Sequence, residues 1–240
     1  MSASAANLKL IQTVARRLGA LRERVVFLGG ATTTLLVTDA GATSVRATQD
    51  VDVIVEVGSY SEYQHRLGTA LERAGFAVDT TEGAPLCRWV VEGVKVDIMP
   101  TDTAVLEFSN RWYPSAIDSA VDHAVGNGLV IRVISASLFL ATKLEAFNGR
   151  GGGDFVASHD LEEVITIVDG RTTLVDEVLA AAPPLSAYIA DEFGRLLDNE
   201  AFIDALPGHL PGDPASQARV PLVEARLHRL AGRGDDRSRQ

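Results

Sequence analysis

The chain has 240 residues, 46% hydrophobic and 22% charged, a balance that suits a globular protein able to bury a sizeable core, as one large domain or as a domain with a helical appendage. A formal charge of -10 and a pI near 4.9 argue against broad, nonspecific binding to nucleic acid, so any polyanionic partner has to meet a local basic patch. The single cysteine, Cys87, excludes a disulfide framework or a cysteine-based zinc cluster within one chain, and suits a reducing cytosol. Lys9, Arg16 and Arg17 interrupt the apolar pattern at the start, so no signal peptide is expected, and no stretch approaches the ~20 apolar residues of a membrane span. The expected location is the cytoplasm, with no membrane partner.

In chain order, Leu8, Ile11, Val14, Ala15 and Leu18 recur at helical spacing and predict an amphipathic helix from about Asn7 to Leu21, with Arg16, Arg17, Arg22 and Arg24 giving it a basic side. "VVFLGG" reads as a short buried strand stopped by Gly29 and Gly30, and "ATTTLLVTDAG" as a helix leaving that turn, weakened by three threonines. "DVDVIVEV" reads as a second strand, followed by a helix over about Ser61 to Ala74. Strands at "FAVDT", "RWVVEG" and "VKVDIMP" come next, with turns at Gly83, Pro85 and Gly93. After a strand at "LVIRVIS", the segments "ASLFLATKLEAFNGR", "SHDLEEVITIVDGR", "TTLVDEVLAAA" and "LSAYIADEFGRLLDNEAFIDAL" look helical. "GHLPGDPAS" reads as a linker to a last basic helix over Val220 to Leu230, and "GRGDDRSRQ" as a frayed tail. The pattern predicts an α+β fold: a mixed β-sheet module flanked by helices over 1–134, a helical region over 135–232, and a flexible tail over 233–240.

Alternation on the second strand puts Asp50, Asp52, Ile54 and Glu56 on one face and Val51, Val53, Val55 and Val57 on the other. Two like charges about 7 Å apart are relieved by exposure, a pKa shift or a metal, and an isolated acid pair at a strand start is commonly just solvated. Two other features point to chemistry. Asp97 interrupts an apolar strand and offers a third carboxylate, with Lys95 and Met99 on its side. "FLGGATTT" is a strand, a tight glycine turn and a helix start, a form that brings backbone N–H groups of Gly29 and Gly30, and the Thr32 hydroxyl, close to a phosphate. Oxygen ligands suit Mg²⁺, so Asp50, Asp52 and Asp97 holding two Mg²⁺ ions would serve transfer of a phosphoryl or nucleotidyl group from an NTP.

Gly29-Gly30-Ala31, Asp50-Val51-Asp52 and Asp97 on a later strand resemble the nucleotidyltransferase superfamily typified by DNA polymerase beta. "GGATTTLL", "RATQDVDVIV" and "LFLATKLEAF" resemble more closely its AbiEii/AbiGii toxin branch, which includes the MenT toxins of type IV toxin-antitoxin systems. The resemblance covers roughly residues 24 to 170, with a longer gap from Gly30 to Asp50 than in the compact form of the motif. It implies a nucleotidyltransferase-like fold, and that Asp50 and Asp52 bind both metals while Asp97 completes the one at the acceptor hydroxyl. It further implies that Lys143, followed by Asn148, holds nucleotide phosphates and that Asp160 is the later acid of the branch, positioning Lys143 or the acceptor. The acceptor it implies is the tRNA 3′ end, with a cognate antitoxin as partner. The same residues leave room for a small-molecule or protein acceptor, or for a non-catalytic module that binds nucleotide or a partner.

Other residues carry open alternatives. Arg46 would contact phosphate or neutralise the carboxylates. Arg150 would add charge beside the glycine run "GRGGGDF", read as a mobile loop. Asp160 and Ser158 would also serve as an ordinary dipole partner and cap of a helix. Arg111, Trp112 and Tyr113 would stack a base or pack a core. Arg219, Arg226, Arg229, Arg233 and Arg237, with the basic side of the first helix, would form a local surface for tRNA. His65, His123, His159, His209 and His228 lack the spacing of a metal cluster.

Overall fold

The computed structural model describes residues 2–151 and 153–234; Gly152 of the glycine run, Arg237 and the rest of the tail from 235 lie outside the described residues. The chain forms two compact units. One takes the chain up to Leu35 together with Arg46–Ser135, and the other takes Leu36–Val45 together with the chain from Ala136 onward. The architecture is the α+β one expected, a mixed sheet with helices around it and then a helical region.

In the first unit, helix α1 (Ala3–Leu18) starts at Ser2, whose side chain accepts from Ala5 N, and buries Ile11, Val14, Ala15 and Leu18. It ends at Gly19, at φ 55, and Arg22 and Arg24 fall on the 3-10 turn that follows rather than on its basic side. Strand β1 (Val25–Leu28) is buried throughout. Helix α2 (Thr33–Leu36) leaves the glycine turn and stops after one turn, short of the helix expected through residue 41. Thr32 and Thr33 turn their hydroxyls onto the Gly29 and Gly30 carbonyls, and the Thr38 and Asp39 N–H groups donate to Gly170 O instead of continuing the helix.

Strand β2 (Asp50–Val55) is followed by a π-helical turn (Glu62–Leu67) and α3 (Gly68–Arg73). Strands β3 (Ala77–Val78), β4 (Arg88–Val91) and β5 (Val94–Pro100), short helices α4 (Thr103–Leu106) and α5 (Tyr113–Asp118), and strands β6 (Val121–Ala124) and β7 (Val130–Val133) complete the unit. Among the described residues these strands form one seven-stranded sheet in the order β3-β4-β5-β2-β1-β7-β6. Strand β2 runs parallel to β5 and antiparallel to β1, and α1 packs on β2 and β5. Strand β6 has no counterpart in the sequence reading, because Asp122 and His123 break its apolar alternation and it is an exposed edge strand.

Asn7 of α1 is fully buried beneath the entrance to β2. Its side-chain amide donates to Arg46 O and its oxygen accepts from Thr48 N, while the Thr48 hydroxyl donates to Asp50 O. One polar side chain thus fixes the segment that delivers Asp50 into the sheet.

In the second unit, α6 (Ala136–Arg150) is buried over most of its surface and packs on α7 (His159–Gly170), α8 (Leu174–Leu179) and α9 (Pro183–Leu197). Helices α10 (Glu200–Ala205), α11 (Pro214–Gln217) and α12 (Val220–Leu230) follow, and α12 packs on α7, α8 and α9. The stretch expected as one helix from Leu185 is divided at Asn199, which caps α10. Asp169, fully buried near the end of α7, accepts from Arg219 Nε at 2.6 Å and from Thr43 N at 3.1 Å. Arg226 donates to Val168 O and Asp169 O, and both arginines place positive charge at the helix C-terminus.

Replacing Asn7 with Ala removes the partner of the part-buried Thr48 N–H and one bond to the Arg46 carbonyl, at a cost of about 1–3 kcal/mol. Urea unfolding should show a clear loss of stability, and an unchanged midpoint would contradict the clamp.

Candidate active site

The pairing register decides which side chains meet. Leu28 of β1 faces Asp52 of β2, Asp52 faces Asp97 of β5, and Asp97 faces Arg88 of β4, so the four form one row across the sheet. Asp52 and Asp97 are direct neighbours on the same face, and Asp50, opposite Lys95, lies two residues before Asp52 on that face. The Asp50 side chain is 39% exposed and that of Asp97 12%. Beyond Asp52 the face closes, with Ile54 fully buried, while Glu56 is solvent-exposed past the end of β2.

The glycine turn touches this row. Gly29 has φ 75, and a Cβ built on it would lie 1.8 Å from Asp52 Oδ2, so the carboxylate occupies the space any side chain would need. Thr32 does not join the site in the way expected: it is fully buried and its hydroxyl donates to Gly29 O at 2.8 Å, which fixes the turn and leaves no surface for a phosphate. Arg46 is half-buried, with its carbonyl held by Asn7.

Arg88 of β4, which no strand pattern in the sequence singles out as a site residue, joins the row. Its Nε donates to Asp97 Oδ1 and its Nη2 to Asp97 Oδ2, both at 2.7 Å, and Nη2 lies 3.6 Å from Asp50 Oδ2. The hydrogen bonds to Asp97 raise the guanidinium pKa above its ordinary value, against the effect of burial. A signal for Arg88 exists in the sequence. Folding β4 against β5 about a two-residue turn at Glu92 and Gly93, both at positive φ, sets residue 88 against residue 97.

Three carboxylates on one face, without sulfur or imidazole, fit a hard divalent cation in donor type, and Asp50, Asp52 and Asp97 are the residues that would hold it. Among the described residues no three acidic, histidine or cysteine side chains stand grouped as a metal site. Both oxygens of Asp97 instead engage Arg88. A cavity of about 730 Å³ opens at the far end of β2 and β5, lined by Glu56, Thr101, Asp102, Asn110 and Arg111 but not by the carboxylate row. Arg111 lies 5.2 Å from the Trp112 ring centroid, Tyr113 is buried, and Cys87 is a buried thiol pushed up to about 12 by desolvation.

A second polar cluster lies in the helical unit. Lys143 Nζ on α6 meets Asp160 Oδ1 at 3.2 Å and Glu163 Oε2 at 2.6 Å on α7, and Arg150 binds both oxygens of Asp160. Glu163, also absent from the sequence reading, is three residues from Asp160 and so shares its helix face. Asn148 is exposed and stands ~140° around the helix from Lys143, away from this cluster. Ser158 caps α7 through Leu161 N. Burial pushes the Asp160 carboxyl up, but the hydrogen bonds and charges of Arg150 and Lys143 outweigh it and hold the group below the usual carboxylate range.

The arginines expected to form a docking surface have internal partners: Arg219 pairs with Asp39 and Asp169, Arg229 with Asp176, and Arg233 with Asp198. On the first helix Arg17 pairs with Glu92.

No family model matches the chain, and no curated protein matches it. Among solved structures it is similar to an antigenic nucleotidyltransferase-like protein from Paracoccidioides brasiliensis, at 18% identity over 84% of this chain and 93% of that one, with a TM-score of 0.49. It is also similar to JHP933 from Helicobacter pylori, at 11% identity over 98% of this chain and 94% of that one, with a TM-score of 0.48. Likeness at this level carries nothing about chemistry, which has to come from the residues themselves.

Two outcomes follow from the geometry. Gly29→Ala adds a collision with Asp52 to the cost of a positive φ, whereas Gly93→Ala, at φ 77 with nothing within 4 Å of its Cβ, meets only the backbone cost. Urea titration should find Gly29→Ala the more destabilised by at least about 1 kcal/mol; equal losses would contradict the close approach. Because the native Asp160 pKa lies below its unfolded value, its stabilisation is complete above about pH 4 and is lost as pH falls through the depressed native value. The stability gap between wild type and Asp160→Asn should therefore be widest near pH 7 and narrow below about pH 4, and a gap that stayed constant would contradict the ion-paired assignment.

Proposed function

We propose that the protein is a divalent-cation-dependent nucleotidyltransferase that moves an NMP from an NTP to a hydroxyl acceptor. The observation that carries this reading is the contact between the glycine turn and the acidic row, with the Asp52 carboxylate seated where a Gly29 side chain would be. That contact supports a site in which backbone N–H groups receive phosphate oxygens beside carboxylates suited to Mg²⁺. Two Mg²⁺ ions bound there would supply charge neutralisation for the triphosphate and acidify the attacking hydroxyl. Asp50 and Asp52 would serve as shared ligands, and Asp97 would orient the acceptor side once Arg88 releases it. Lys143 would offer a point charge to phosphate, and its bonds to Asp160 and Glu163 hold Nζ in one position until they are exchanged.

The resemblance to the MenT toxins favours the tRNA 3′ end as acceptor and an antitoxin as partner. The pairing of Arg219 with Asp39 and Asp169, with the net charge of -10, favours a small hydroxyl compound instead. Incubation with Mg²⁺, each α-labelled NTP, and either total tRNA or a panel of small polyols and aminoglycosides separates the two. Label should transfer to one acceptor class and fall by at least about 100-fold in Asp52→Ala, the scale expected when a metal ligand is lost. Absence of transfer to every acceptor, together with no NTP binding, would overturn the enzyme reading.

A further inference from the structure

The Arg88–Asp97 fork has a consequence for how the acidic face accepts a cation. Arg88 is 19% exposed at its side chain, engages both oxygens of Asp97 at 2.7 Å, and reaches within 3.6 Å of Asp50. It is held there by the sheet, since β4 and β5 are paired residue for residue from Val91 and Val94 back to Arg88 and Asp97. Its guanidinium therefore sits where a cation bound by Asp97 and Asp50 would otherwise gain most.

We propose that Arg88 is a resident counter-ion that closes the acidic face to a bare divalent cation, so that a cation binds tightly only together with a nucleoside triphosphate. This deepens the nucleotidyltransferase reading and rests on it. Before ligand arrives, Arg88 offsets one of three carboxylates and keeps Asp97 turned toward β4, which stabilises the acidic face. A bare cation has to break a bidentate, charge-assisted pair to recruit Asp97. A triphosphate brings negative charge for the guanidinium to bind in exchange, since a planar fork suits phosphate as well as carboxylate. No covalent bond forms or breaks in this exchange. Arg88 thus holds Asp97 before the exchange and contacts the triphosphate after it.

The test is Mn²⁺ binding, followed by loss of the free-ion electron paramagnetic resonance signal, in wild type, Arg88→Gln, Arg88→Lys and Lys95→Gln. Each is measured with and without a non-hydrolysable analogue of each NTP, with the Mn²⁺ held by nucleotide alone subtracted from a protein-free control, and thermal melting checks that each variant folds. Lys95→Gln removes the same charge from the strand position opposite Asp50, where the side chain is exposed, and so controls for net charge. Without nucleotide, Arg88→Gln should bind Mn²⁺ at least about ten-fold tighter than wild type, the equivalent of one charged hydrogen bond. Lys95→Gln should change affinity by no more than about two-fold. Arg88→Lys, which keeps the charge without the fork, should fall between, and keeps the test in hand if the glutamine variant does not fold. Nucleotide analogue should tighten Mn²⁺ binding in wild type and much less in Arg88→Gln. An Arg88→Gln affinity equal to or weaker than wild type, or a Lys95→Gln affinity raised as much, would overturn the role of Arg88, and the transferase reading would stand if the analogue still recruited Mn²⁺. No Mn²⁺ binding by any form, with or without analogue, would overturn both.

Discussion

The candidate chemistry depends on one constraint, the parallel register that sets Asp52 beside Asp97. A one-residue slip of β2 against β5 would send Asp52 and its neighbours to opposite faces, because side chains alternate. The register is secured from several directions. The valines on the other face of β2 are fully buried, Asn7 holds the segment that enters the strand, and β1 pairs with β2 from Val25 through Leu28. Burial on both faces after Asp52 leaves the acids only the open end of the strand.

That geometry explains why Gly29 and Arg88 matter as much as the acids. The missing Cβ at Gly29 lets the backbone turn come into contact with the Asp52 carboxylate, which would otherwise collide with any side chain there. Arg88 answers the opposite problem. Three carboxylates gathered on one face repel one another, and a guanidinium clamped on Asp97 relieves this while no ligand is bound. In the helical unit Lys143 is likewise held by Asp160 and Glu163. In both clusters Asp97, Lys143 and Asp160 are already ion-paired, so a ligand of the kind proposed would have to exchange partners there rather than fill bare charge.

Much of the sheet was legible because its strands are strongly patterned. The alternation in "DVDVIVEV" and "VKVDIMP" placed Asp50, Asp52 and Asp97 on strands directly, and Gly29-Gly30 marked the turn. What escaped depends on pairing, which one-dimensional patterns do not carry. Arg88 looked like an ordinary start of a strand until the hairpin at Glu92 and Gly93 set it opposite Asp97. Glu163 was not singled out within "SHDLEEVITIVDGR", because only the packing of α6 on α7 brings Lys143 to it. The helix after the glycine turn was overextended because residues 36–45 belong to the second unit, where Thr38 and Asp39 bond to Gly170 O. Thr32 misled for a local reason, since its hydroxyl could face a ligand or its own backbone, and burial chose the backbone. The C-terminal arginines suggested a surface by composition alone, whereas Arg219 and Arg226 fasten α12 to the end of α7.

The most direct measurement of the central claim is a crystal structure grown with Mn²⁺ and a non-hydrolysable NTP analogue, phased to show anomalous scattering from the metal. The account predicts a metal peak about 2.1 Å from carboxylate oxygens of Asp50 and Asp52, with the triphosphate lying on the Gly29–Gly30 turn. A nucleotide bound elsewhere, or on the turn with no metal at either aspartate, would contradict it.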